Sequence, residues 1–141
     1  MTKTMLATLA LGAAITFAGP AFAEKMKATL DGKSEVPPTT SAGTGTADID
    51  YDAATKKLSW KLTYSGLTGP ATAAHFHGPA EAGKNAGVQV PLGNKPTSPI
   101  HGTATLTPEQ QQQLLSGQWY ANVHSTNFPA GAIRGQMLQV H

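Results

Sequence analysis

The chain has 141 residues, 10 basic against 8 acidic side chains, a formal charge of +2, and no cysteine. Those numbers exclude disulfide stapling, thiolate metal ligands and thiolate nucleophiles. The lysines are scattered and Arg134 is the only arginine, so there is no basic stripe of the kind that binds nucleic acid.

Lys3 precedes an apolar run from Met5 to Ala18, and Gly19-Pro20 leads into Ala21-Phe22-Ala23, a small-x-small cleavage pattern. Residues 1–23 therefore read as a secretory signal peptide, cut after Ala23. The run is too short for a membrane span, and no membrane association is expected after cleavage. Residues 24–141 then form one domain, periplasmic or secreted, long enough to bury a core without staples. Loss of Lys3 leaves nine basic residues against eight acidic ones, about +1.

The domain is rich in Gly, Thr, Ala and Pro, with short alternating runs, which is the texture of an all-β fold. Met26 to Leu30 reads as a first strand, and SEVPPTTSAGTG as a loop, because Pro37-Pro38 cannot donate to a ladder. Glu35 in that loop is expected to be solvated. Ala47, Ile49 and Tyr51 then share one strand face, opposite Thr46, Asp48 and Asp50. After a turn at DAATKK, Leu58, Trp60, Leu62 and Tyr64 share a face opposite Ser59, Lys61 and Thr63. This is a hairpin with one wet side. The acidic set Asp48, Asp50 and Asp52 lacks the glycine and distal glutamate of an EF-hand loop.

Further strands are predicted at residues 72–77, 88–91, 102–106, 119–124 and 132–140. One short helix interrupts them: Thr107 caps it, Pro108 suits its first turn, Gln110 completes a capping box, and Gly117 ends it. About seven or eight strands in one small domain indicate a Greek-key β-sandwich or flattened barrel.

The chemistry concentrates in AAHFHGPA, residues 73–80. On a strand, His75 and His77 point the same way, while Ala74 and Phe76 feed the core. Gly78-Pro79 ends the strand, which places His77 at its rim. In WYANVHS, Trp119, Ala121 and Val123 share the core face, and Tyr120, Asn122 and His124 share the outer one, with His124 near its own strand end. If the two strands are neighbours, three imidazoles converge into a nitrogen site that suits copper, with zinc the weaker candidate by the affinity order. A lone His-x-His is a weak signal, and its bland reading is two surface histidines. His101, after TSPI, is read as a loop residue with a possible role as fourth ligand, and His141 as a frayed terminus. Met137 is read as core. Arg134 is read first as a structural ion pair or carbonyl clamp, and second as a positive group near the metal.

SEVPP, HFHGPA, LLSGQWYANVHS and NFPAGAIRGQ, in this order and spacing, resemble the CHRD (chordin-type) domain family over about Lys27 to Leu138. The resemblance implies an immunoglobulin-like or Greek-key β-barrel. The order His-x-His followed by a late strand histidine is also similar to the copper ligands of Cu/Zn superoxide dismutases, on which His75, His77 and His124 match copper positions. A bridging histidine, a zinc ligand set and the dismutase cysteines have no counterpart here. The leading expectation is thus an exported protein holding one copper ion on His75, His77 and His124, for periplasmic copper buffering, delivery or resistance, with a periplasmic metal donor or acceptor as partner. The alternatives are a secreted CHRD binding or structural module without metal, and a copper-only superoxide dismutase. Enzymatic activity stays open, with a non-enzymatic role preferred.

Overall fold

The computed structural model of the chain describes residues 23–141; the predicted signal peptide, except Ala23, lies outside them. Chain order is β1 (Glu24–Asp31), β2 (Thr44–Asp52), β3 (Lys57–Ser65), β4 (Ala71–His77), β5 (Val88–Asn94), β6 (Ile100–Thr105), α1 (Pro108–Leu115), β7 (Tyr120–Ser125), β8 (Ile133–Gln136) and β9 (Leu138–Gln139). All pairings are antiparallel, in the order β5-β4-β7-β8-β1-β2-β3-β6, with β9 on β1. The end strands β5 and β6 come close without sharing a ladder, so the sheet is a nearly closed, flattened barrel. β3 lies beside β6 rather than β4, and β4 beside β7, which is Greek-key crossing.

Period-two alternation fills the interior. Ala47, Ile49 and Tyr51 of β2 face Leu58, Trp60 and Leu62 of β3 across a register that pairs Ile49 with Trp60, and all six are buried. From the other side come Ala74 and Phe76 of β4 and Ala121 and Val123 of β7. The Trp60 and Phe76 rings meet edge to face, 5.2 Å between centroids, joining the two sides of the barrel. Burying each such large side chain contributes about 1.5–3 kcal/mol.

The helix forms as its caps predict. Thr107 accepts from Gln110 N at 3.1 Å, and the Gln110 side chain accepts from Thr107 N at 3.0 Å. It closes one end of the barrel through the buried Leu114, and Gln111 and Gln113 accept hydrogen bonds from Tyr51 Oη (2.8 Å) and Trp119 Nε1 (3.0 Å).

Two predicted elements differ. The segment 132–140 is two strands: Met137 is buried in the core with its N–H on Trp119 O at 2.9 Å, and beyond it β9 pairs only with β1, whereas β8 pairs with both β7 and β1. The strand before the helix starts at Ile100, which places His101 in β6 opposite Lys61 and not in a loop.

Candidate metal centre

β4 and β7 are neighbours, with His75 opposite Asn122, His77 opposite Tyr120 and Ala73 opposite His124. Core packing of Ala74, Phe76, Ala121 and Val123 forces the intervening side chains outward. His75, His77 and His124 therefore share one outer face, each partly buried, and offer one ring nitrogen apiece within 4.8 Å of the others. Ring centroids are 5.0 Å apart for His75 and His124, 5.3 Å for His75 and His77, and 6.3 Å for His77 and His124.

The expected rim placement needs correction. His77 ends β4 and His124 lies one residue from the end of β7, but antiparallel pairing sets those ends at opposite ends of the ladder. His75, diagonal to His124, links them, so the cluster spans the sheet face.

Two carbonyls set the ring tautomers. His77 Nδ1 lies 3.0 Å from Ala86 O, and His124 Nδ1 lies 2.9 Å from Pro129 O. A carbonyl only accepts, so each Nδ1 carries the proton and each neutral ring keeps its lone pair on Nε2. His77 Nε2 is buried and has no hydrogen-bond partner. His75 Nδ1 is 3.2 Å from His124 Nε2. That is close to the separation of roughly 3.3 Å between two nitrogens held about 2.0–2.1 Å from one tetrahedral ion.

Burial, then the charges of His124 and His77, hold the His75 pKa below the usual 6.5. For His77, burial again lowers the pKa, the hydrogen bond to Ala86 opposes it, and the charges of His124 and Arg134 add to the lowering. Both rings thus favour the neutral form that a metal requires.

The outer face around the cluster is roofed, which the sequence reading missed. Tyr120 and Asn122 share parity with His124 but are buried, as are Arg134 and Glu35. Glu35, expected in solvent, is 6% exposed and accepts a short hydrogen bond from Asn122 Nδ2, which also donates to Ile133 O at 3.1 Å. Burial pushes its carboxyl from the usual 4.5 to about 7, against the pull of Arg134 and of the Asn122 hydrogen bond. Arg134 acts as the carbonyl clamp expected of it, donating to Lys84 O and, at 2.8 Å, to Asn85 Oδ1. Gly131 lies directly over the Glu35–Asn122 pair: a Cβ there would sit 2.7 Å from Glu35 Oε2 and 2.8 Å from Asn122 Nδ2. The one local signal for this roof was the placement of a lone acid inside SEVPP, against two prolines.

The other histidines stay apart. His101 faces solvent on β6 and His141 is exposed at the chain end; neither joins the cluster. Asp48 and Asp50 are exposed and Asp52 partly so, with Asp50 paired to Lys25 at 3.5 Å. Among the described residues, no helix is long and apolar enough to cross a membrane.

No curated protein and no solved structure matches the chain. The CHRD domain family does match, over residues 26–137, a span that runs from within β1 to Met137 and takes in all three clustered histidines. With most of its length inside that match, the chain belongs to the CHRD domain family.

Proposed function

We propose that this CHRD domain is an exported copper-binding protein, in which His75, His77 and His124 hold one ion for periplasmic copper buffering, delivery or resistance. The observation that carries this reading is the buried, unpartnered Nε2 of His77 beside the close His75–His124 nitrogen pair. An orphaned buried acceptor costs about 1–3 kcal/mol, and a cation is the partner that would satisfy it together with its two neighbours. The chemistry of the donor set agrees. Three neutral imidazoles suit copper and zinc, and at equal access Cu(II) binds more tightly. Carbonyl partners on the far nitrogens of His77 and His124 are the usual support of histidine ligands. His75 differs: its Nδ1 faces His124 Nε2 instead of a carbonyl, and when its proton moves to Nε2, the Nδ1 lone pair faces that of His124.

Three protein ligands leave positions open for water or for a group on a partner, which suits handing the ion to another protein. Titration of the metal-free chain with Cu(II) is expected to give one site per chain. Alanine at His75, His77 or His124 should weaken it by at least ~100-fold, more than loss of an outer-shell group does, while His101→Ala leaves it unchanged. Saturating copper should also raise the thermal midpoint, since about 2.7 kcal/mol is gained at a free ion concentration 100 times the Kd. Unaltered affinity in His124→Ala would remove the three-histidine site.

A further inference from the structure

His77 owes its proton placement to a loop peptide. Ala86, whose carbonyl takes that proton, lies in residues 78–87, a segment with glycines at 78, 83 and 87. Such a backbone holds a carbonyl in place only if something else holds the backbone.

Tyr120 and Arg134 do so from the two neighbouring strands. Tyr120 Oη accepts from Ala86 N and donates to Ala86 O, each at 3.1 Å, so one hydroxyl fixes both polar groups of that residue. Arg134 donates to Lys84 O and, at 2.8 Å, to Asn85 Oδ1, and the Asn85 amide donates to Val36 O at 3.2 Å. Three consecutive loop residues are therefore tied down. The side chains that tie them also touch each other and His77. The Arg134 guanidinium carbon sits 3.5 Å from the Tyr120 ring centroid. The Tyr120 ring lies parallel to His77, 4.8 Å away and 2° from coplanar orientation. The order across the sheet is β4, β7, β8, so Tyr120 is flanked by His77 on one strand side and Arg134 on the other.

From this geometry we propose that Tyr120 and Arg134 are positioning residues of the metal centre, holding the Ala86 carbonyl that keeps the His77 proton on Nδ1 and its Nε2 free for the ion. The inference rests on the copper reading, but its first consequence is visible without metal. Tyr120→Phe keeps the stacked ring and removes only the hydroxyl; Arg134→Lys keeps the charge and removes the forked donor. Neither removes an atom that would touch copper.

The test uses the full metal-free chain with labelled histidine, whose long-range proton–nitrogen NMR correlations report each ring tautomer. The wild type should show His77 with its proton on Nδ1. Tyr120→Phe and Arg134→Lys should show mixed tautomers, and their Cu(II) affinity should fall about 10–100-fold. Tyr51→Phe removes a different partly buried hydroxyl bond, to Gln111, and should leave the tautomer and the affinity as they are, which separates positioning from general destabilisation. An unchanged His77 tautomer in Tyr120→Phe overturns the proposal, whatever that chain binds; should it not fold, Arg134→Lys decides in the same way. A wild type with the Nδ1–H tautomer that takes up no copper overturns the copper reading and leaves the brace on His77 standing.

Discussion

Strands β2 and β7 both put polar side chains on the outer face at every second position, and those faces end in opposite environments. On β2, Asp48 and Asp50 stand in water. On β7, Tyr120 and Asn122 are 3% exposed, covered by the segments around Glu35, Ala86 and Gly131. Alternation therefore tells which side of a sheet a residue faces and not whether water is there. The consequence is energetic. A polar group in water exchanges one partner for another at little net gain, whereas a roofed one carries its full desolvation cost when its partner is lost.

The largest effect should come from the roofed face. Asn122→Ala removes the donor to both Glu35 and Ile133 O, at about 1–3 kcal/mol for each buried group left alone. Asp48→Ala on the wet face should stay within about 0.5 kcal/mol. Urea midpoints in the presence of chelator measure both. Similar midpoints for the two variants would mean that the roof is not closed in solution.

Two glycines sharpen the same contrast. Gly131 has φ +132° and no room for a Cβ. Gly131→Ala should cost about 1–3 kcal/mol in backbone strain, with the clash on Glu35 in addition. It should also weaken copper binding, because Pro129, which holds His124, is two residues away. Gly87 has open space where its Cβ would stand, and Gly87→Ala should be close to neutral. A Gly131→Ala chain with wild-type midpoint and copper affinity would break the link between roof and site.

Glu35 gives the comparison a pH signature. Its folded pKa of about 7 lies above the usual 4.5, so the native state binds the proton more tightly than the unfolded chain. Its contribution to stability is fully present below about pH 4.5 and is lost as pH rises through 7. Metal-free wild type should therefore lose stability across that window relative to Glu35→Gln, whose amide oxygen can still accept from Asn122 and does not titrate. Parallel pH profiles for the two chains would show that the carboxyl is solvated after all.

The sequence carried what is local and periodic. The parity of His75, His77 and His124 follows from alternation within each strand, and the helix at Pro108 follows from Thr107 and Gln110. What it did not carry is set by pairing between distant segments. The Glu35–Asn122 bond spans 87 residues and the Asn85–Val36 bond 49; no window of ten residues records either. The same holds for the offset of His77 from His124, which depends on antiparallel register, and for the break at Met137, where pairing with β7 ends and pairing with β1 continues. His101 was misplaced for a related reason. Its strand begins directly after a proline, and only the ladder to β3 shows that pairing reaches Ile100.

The smallest effect tests the wet side by the acid-to-amide change used at Glu35. Lys25 Nζ lies 3.5 Å from Asp50 Oδ1, and the two side chains are 75% and 51% exposed. Water and salt screen such a pair, and holding two long side chains together costs entropy, so its net worth is about 0–1 kcal/mol. Asp50→Asn should shift the urea midpoint by no more than this, with the shift shrinking as salt is added. Glu35→Gln should differ, since its carboxyl is shielded from salt and titrates near pH 7. If Asp50→Asn instead moved stability as far as Glu35→Gln, with the same pH course, burial would not be what separates the two faces. The cause would then lie in the overall charge of a barrel whose formal balance is close to neutral.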